Sequence, residues 1–170
     1  YSMNGREDKY QWAGPYLYSR QMVVVKNESE IQTLQDLKGK RIAVQATTKA
    51  EDLFLHNIKS DLPQMQQVNC FSTTNEIYAA LRKNYVDAIA GHEAMLGSLV
   101  KESKDVYRML DESIYKSELG VAFKKGTHEE TAADLTETLK KMQREGLTEK
   151  IVTKYGLDAG EILPEGEENE

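Results

Sequence analysis

Two adjacent threonines, Thr47 and Thr48, stand at the head of a predicted helix, where free amides and the helix dipole favour negative charge. They could hold an anion, or Thr48 could simply cap the helix with Glu51 in a Thr48-Lys-Ala-Glu51 capping box. Arg6 carries a guanidinium, the group that meets a carboxylate through two parallel hydrogen bonds. As a bare residue it has a simpler role, pairing on the surface with Glu7 or Asp8. Lys49 follows the threonines and is expected to stay in solvent. His92, Glu93 and Glu118 are available for acid–base work, but no nucleophile stands in register with a base. His56, His92 and His128 are too scattered to read as a metal set, and no cofactor is implied. Cys70 is the single cysteine and lies in an apolar run without a cationic neighbour, which predicts a buried, inert thiol.

Short apolar runs alternate with amphipathic stretches, the pattern of an α/β fold with mostly parallel strands. Strands are predicted at Met22–Lys26, Arg41–Val44, Gln67–Phe71, Asp87–Gly91, Val106–Leu110 and Leu119–Phe123. A short helical turn is expected at 34–39, and the helix after Thr48 should bury Leu53 and the stretch Leu55–Ile58. A second capping box, Thr73-Thr-Asn-Glu76, opens a helix with Ile77, Ala80 and Leu81 on one face. A further helix covers His92–Val100. A third box, Thr127-His-Glu-Glu130, precedes a stripe of Ala132, Leu135, Leu139 and Met142, with Gly146 as the stop. Leu147, Ile151 and Tyr155 continue on a short helix, and the Glu-rich tail after Asp158 reads as disordered.

With 170 residues, 39% of them hydrophobic, the chain can hold one sizeable core or two small ones. Its net charge of −6, without a basic block, argues against nucleic acid, whose binding needs a basic face to replace counterions. Apolar runs such as Met22–Val25 fall far short of the ~20 residues a membrane span needs. No signal peptide is visible, but residue 1 already lies inside structured-looking sequence, which suggests a missing N-terminus.

The segment from Ser2 to Tyr16 resembles a signature of the amino-acid-binding proteins of bacterial ABC importers, the extracytoplasmic solute-binding protein family 3. Those proteins carry an Arg, an aromatic six residues on and the Tyr of a Pro-Tyr pair ten residues on, matched here by Arg6, Trp12 and Pro15-Tyr16. Leu34-Gln-Asp-Leu-Lys-Gly-Lys-Arg-Ile-Ala-Val-Gln-Ala-Thr-Thr48 is similar to the opening of the family's second lobe. Tyr85-Val-Asp-Ala-Ile-Ala is similar to its Asp-Ala strand, and Lys154-Tyr-Gly-Leu-Asp158 to its closing helix. The resemblance runs from residue 1 to about 158. It implies a type II periplasmic-binding-protein-like α/β fold of two lobes joined by a two-stranded hinge, with lobe 1 incomplete. Residues 1–21 would end the first pass through lobe 1, 22–118 form lobe 2, 119–158 return to lobe 1 and 159–170 form an acidic tail.

The resemblance also implies a role outside the cytoplasm, periplasmic or lipid-anchored, delivering a small polar, amino-acid-like ligand to the membrane subunits of an ABC importer. Self-association through the incomplete lobe, by the 127–145 helix, is a further expectation. Arg6 would take the ligand's carboxylate, with Thr47 and Thr48 as the second half of the clamp. This chain has Met3 where the family usually has Thr, and Ala46 where it has Gly. It also has His92 where an Asp often holds the ligand's ammonium, and His92 supplies no formal negative charge. His92 could equally be an N-terminal helix residue without a ligand role. Tyr10, Trp12, Tyr16 and Tyr18 are expected to pack in the core or hinge rather than stack on a ring. A ligand-sensing domain of a membrane signalling protein and a dehydratase-like enzyme are the competing readings on the same fold.

Overall fold

The computed structural model describes residues 1–56 and 61–164. The chain divides into two compact units, one of residues 1–19 with 116–170 and one of residues 20–115. Strand β1, Tyr10–Lys26, supplies residues to both, so the predicted strand at Met22–Lys26 is only its second half. The other strands are β2 (Arg41–Gln45), β3 (Gln67–Phe71), β4 (Ala88–His92), β5 (Tyr107–Met109) and β6 (Tyr115–Lys124). The helices are α1 (Lys49–Leu55), α2 (Thr74–Arg82), α3 (Glu93–Glu102), α4 (Glu129–Arg144), α5 (Leu147–Lys154) and α6 (Ala159–Ile162), with a 3-10 turn at Leu34–Leu37.

In the unit 20–115 the strand order is β3-β2-β4-β1-β5. β2 runs parallel to β3 and β4, while β1 is antiparallel to β4 and β5, so the sheet is mixed rather than mostly parallel. Successive strand side chains point to opposite faces. Val23, Val25, Ile42, Val44, Ala88 and Ala90 therefore meet Ala50 and Leu53 of α1 and Leu37 on one face. Met22, Val24, Ala43 and Ile89 meet Ile77, Ala80 and Leu81 of α2 and Leu96 of α3 on the other. Both faces are covered, which is why these strands read as continuous apolar runs in the sequence. On α1 only Ala50 and Leu53 are buried; Leu55 is exposed, and the expected burial of Ile58 lies outside the described residues.

The unit of 1–19 with 116–170 has a thinner core: Ala13, Ala132, Val152 and Ile162 are its buried apolar residues among those described. β6 pairs with β1, and the segment Tyr1–Met3 pairs beside Glu118–Gly120. Gly14 takes a left-handed φ of +111°, and a Cβ there would meet Gly120 Cα at 3.4 Å and Tyr16 N at 3.1 Å, so the close approach requires glycine. On α4 the predicted stripe is buried only at Ala132; Leu135, Leu139 and Met142 are half-buried. The short helix expected from Leu147 forms as α5, which buries Val152 and turns Leu147, Ile151 and Tyr155 to solvent. Residues 159–162 form a helix capped by Asp158, which accepts from the Gly160 amide at 3.0 Å, where composition predicts disorder. The rest of that expectation, 165–170, lies outside the described residues.

Candidate functional site

Open α/β sheets take ligands beyond the carboxyl ends of their parallel strands. In the unit 20–115 the register of β2 on β4 pairs Val44 with Ala90, so Thr47 and Thr48, after β2, and His92, ending β4, fall at one edge. Thr73 and Thr74, after β3, reach the same edge, and the Thr74 hydroxyl donates to Gln45 Oε1 at 3.4 Å. Two surface cavities of this unit, about 190 and 390 Å³, lie elsewhere and include none of these residues.

Thr47 adopts φ +62°, a left-handed conformation that is uncommon for a β-branched residue and recurs at functional sites. This turn prevents the capping box expected at α1. Glu51 reaches past Thr48 and accepts the Thr47 amide at 2.6 Å, while the Thr48 hydroxyl donates to Gln45 O at 2.7 Å instead of capping. The Thr48 amide has no acceptor among the described residues. Lys49 is half-buried with its ammonium 4.9 Å above the Tyr115 ring, a cation–π contact, rather than fully in solvent. Cys70, predicted buried, is exposed on the edge strand β3. Its thiol is nonetheless pushed up to about 11 by partial desolvation and by the hydrogen-bonded Glu51 carboxylate, which keeps it unreactive.

His92 is the N-cap of α3, its Nδ1 accepting the Ala94 amide at 3.2 Å. Beside it Glu93 is buried and committed to Arg20, whose Nε donates to Oε2 at 2.9 Å and Nη2 to Oε1 at 2.6 Å. A carboxylate held in this two-bond pair is not poised as a general base. Sequence reasoning missed Arg20, because its partner lies 73 residues away. The only local signal was an arginine inside an otherwise apolar strand.

Arg6 belongs to the other unit, in the turn before β1. The Arg6 carbonyl accepts from the Trp12 indole at 3.2 Å and from the Lys9 amide at 3.0 Å, so the family-like aromatic fixes the turn. Its guanidinium is exposed and pairs with neither Glu7 nor Asp8; among the described residues it has no acidic partner. Glu7 turns to the backbone instead, and the amides of Glu7 and Gly5 hold its carboxyl below the usual range. Trp12, Tyr16 and Tyr18 are half-buried and Tyr10 is exposed. Tyr10 packs edge-on to Trp12 at 5.6 Å, and Tyr18 lies 4.0 Å under the Lys116 ammonium.

Residues 11–162 match the family described as "ABC transporter, phosphonate, periplasmic substrate-binding protein". The L-cystine-binding protein TcyJ of Escherichia coli is 30% identical over 152 residues, which are 88% of this chain and 55% of that protein. The glutamate-binding protein GluB of Corynebacterium efficiens is 27% identical, over 98% of this chain and 57% of its own length. The chain thus spans little more than half the length of these relatives. Among solved structures, the substrate-binding protein of an amino acid ABC transporter superposes with a TM-score of 0.62 at 28% identity, covering 89% of this chain and 66% of that one. The cysteine-binding protein of Campylobacter jejuni shares the fold, with a TM-score of 0.66 at 23% identity, covering 96% of this chain and 66% of that one. These relatives and neighbours are binding proteins, not enzymes, and the fold they share is the type II periplasmic-binding-protein fold. By this match over most of its length, the chain belongs to the periplasmic substrate-binding proteins of ABC transporters.

Proposed function

We propose that this chain binds a small polar, amino-acid-like ligand outside the cytoplasm and delivers it to the membrane subunits of an ABC importer. The observation that carries this reading is the gathering of Thr47, Thr48 and His92 at the carboxyl edge of β2 and β4, on the fold of proteins that bind cystine and glutamate. Arg6 takes the ligand's carboxylate with its unpaired guanidinium. The Thr47–Thr48 turn, with the open Thr48 amide, offers donors to an anion. His92 meets the ligand's other polar group. Burying a charged ligand is favourable only when each charge is met, so each of these contacts carries weight in affinity.

Isothermal calorimetry with L-cystine, L-glutamate and L-histidine tests the assignment. Arg6→Ala is expected to weaken binding of the ligand that fits by roughly 2–5 kcal/mol, the usual loss when a buried charge partner is removed. Unchanged affinity in the variant removes Arg6 from the site.

A further inference from the structure

We propose that the unit 20–115 carries a second small-molecule site, a cavity between α2 and α3 that takes an α-amino acid with a large apolar side chain, as its zwitterion. The cavity is about 390 Å³ and includes none of Thr47, Thr48, Thr73, Thr74 or His92, so it stands apart from the edge described above. Small-ligand sites are concave, mostly apolar and carry a few placed polar groups. The helical repeat builds such walls here. Tyr78, Ala79 and Arg82, spaced i, i+1 and i+4, share one side of α2, while Leu99 and Glu102, spaced i and i+3, share one side of α3. Tyr107, the first residue of β5, adds a strand side chain to the lining. Tyr78 and Leu99 pack against the core that contains Tyr107.

Three polar groups of this lining are uncommitted. Tyr107 is 7% exposed, yet its hydroxyl makes no hydrogen bond among the described residues. A hydroxyl on so buried a side chain calls for a partner, and the cavity is where one can sit. Arg82 and Glu102 are exposed, one on each helix, and neither has an opposite-charge partner among the described residues. Tyr78 differs, because its hydroxyl already donates to Met95 O at 2.8 Å. Burial, and after it the Glu102 carboxylate, raise the Tyr78 pKa, so the charge of Glu102 is felt at this wall. A guanidinium and a phenol donate to a carboxylate, and a carboxylate accepts from an ammonium. A ligand with one charge would leave the opposite wall unmet or repelling, whereas a zwitterion satisfies both. Its apolar side chain then lies on Ala79 and Leu99.

Backbone-amide NMR of the full chain, titrated to millimolar concentration, tests this with three probes. They are L-phenylalanine, 3-phenylpropionate, which lacks the ammonium, and phenethylamine, which lacks the carboxylate. The expected result is saturable shifts at amides of 75–82 and 99–107 with L-phenylalanine, and affinity weaker by about tenfold or more for either analogue. Arg82→Gln changes an exposed residue and is expected to weaken L-phenylalanine at these amides by about tenfold. Tyr107→Phe, which removes only the hydroxyl, should weaken it severalfold. The site is overturned if these amides stay still, or if shifts are confined to the residues around Thr47 and His92. It is also overturned if either analogue binds as well as L-phenylalanine, or if both variants keep the parent affinity. Each of those results leaves the binding function at the Thr47 edge standing, since calorimetry tests that edge separately.

Discussion

Arg20 and Glu93 are both 7% exposed, and two charges taken that far out of water are stable only while each satisfies the other. Removing one partner leaves the other charged and buried. Glu93→Gln is therefore expected to destabilise the unit 20–115 by about 3–5 kcal/mol, read from thermal or denaturant unfolding. Replacing both residues with apolar ones of similar volume should recover most of that loss. A Glu93→Gln variant as stable as the parent would mean that the pair is solvated. The residue scale is also where the sequence was least legible. Arg6, Thr47, Thr48 and His92 could be named because their places in short motifs were visible. What each side chain is bonded to depended on contacts the sequence does not display, such as Glu51 on the Thr47 amide and Arg20 on Glu93. Cys70 was misplaced for a related reason: its neighbours in sequence are apolar, but β3 is an edge strand, and edge position is a property of the sheet.

At the scale of elements, β2, β3, β4 and α2 were legible because each satisfies its own period and caps locally. The Thr73–Glu76 box forms as expected, Glu76 accepting the Thr73 amide at 2.9 Å and Thr73 Oγ1 the Glu76 amide at 3.3 Å. The other two boxes fail where a left-handed residue redirects the chain. Thr47 does so before α1 at φ +62°, and His128 does so before α4 at φ +58°, leaving the Thr127 hydroxyl to donate to Lys124 O at 2.7 Å. β4 is tied to β2 by Asp87, which accepts from the Arg41 amide at 2.8 Å and pairs with its guanidinium at 2.7 and 3.1 Å. The hydrogen bonds from the Arg41 side chain hold the Asp87 carboxyl below its usual value. A carboxyl depressed in the folded state stabilises fully above its unfolded pKa of about 3.9 and loses that contribution as pH falls through the folded value. Asp87→Asn is thus expected to lower stability by about 1 kcal/mol at pH 7, since the pair is a third exposed. The difference should shrink steadily below about pH 4, and a gap that persists at low pH would contradict the ionic account.

Across the whole molecule the two units are unequally packed. The unit 20–115 buries side chains on both faces of its sheet, whereas the other buries Ala13, Ala132, Val152 and Ile162 and leaves Leu147, Ile151 and Tyr155 in solvent. Local stability follows buried apolar contact, so hydrogen exchange on residues 1–170 as a monomer should find β1–β4 amides slow and those of α4 fast. Slow exchange of α4 is expected only if self-association covers Leu135, Leu139 and Met142, and a monomer with uniformly slow exchange would contradict this. The alternating apolar runs made an α/β fold readable; that the α4 stripe would lack cover was suggested only by the resemblance, because by itself the stripe looks in sequence like any core-facing helix. The central claim, that the chain is a receptor which holds a small polar anion-bearing ligand without changing it, is tested most directly by mass spectrometry of the small molecules released on unfolding the purified protein. The account predicts one such molecule, near one per chain, returned with its mass unchanged after incubation with fresh protein. Released material without an anionic group, or a new mass that appears on incubation, would contradict it.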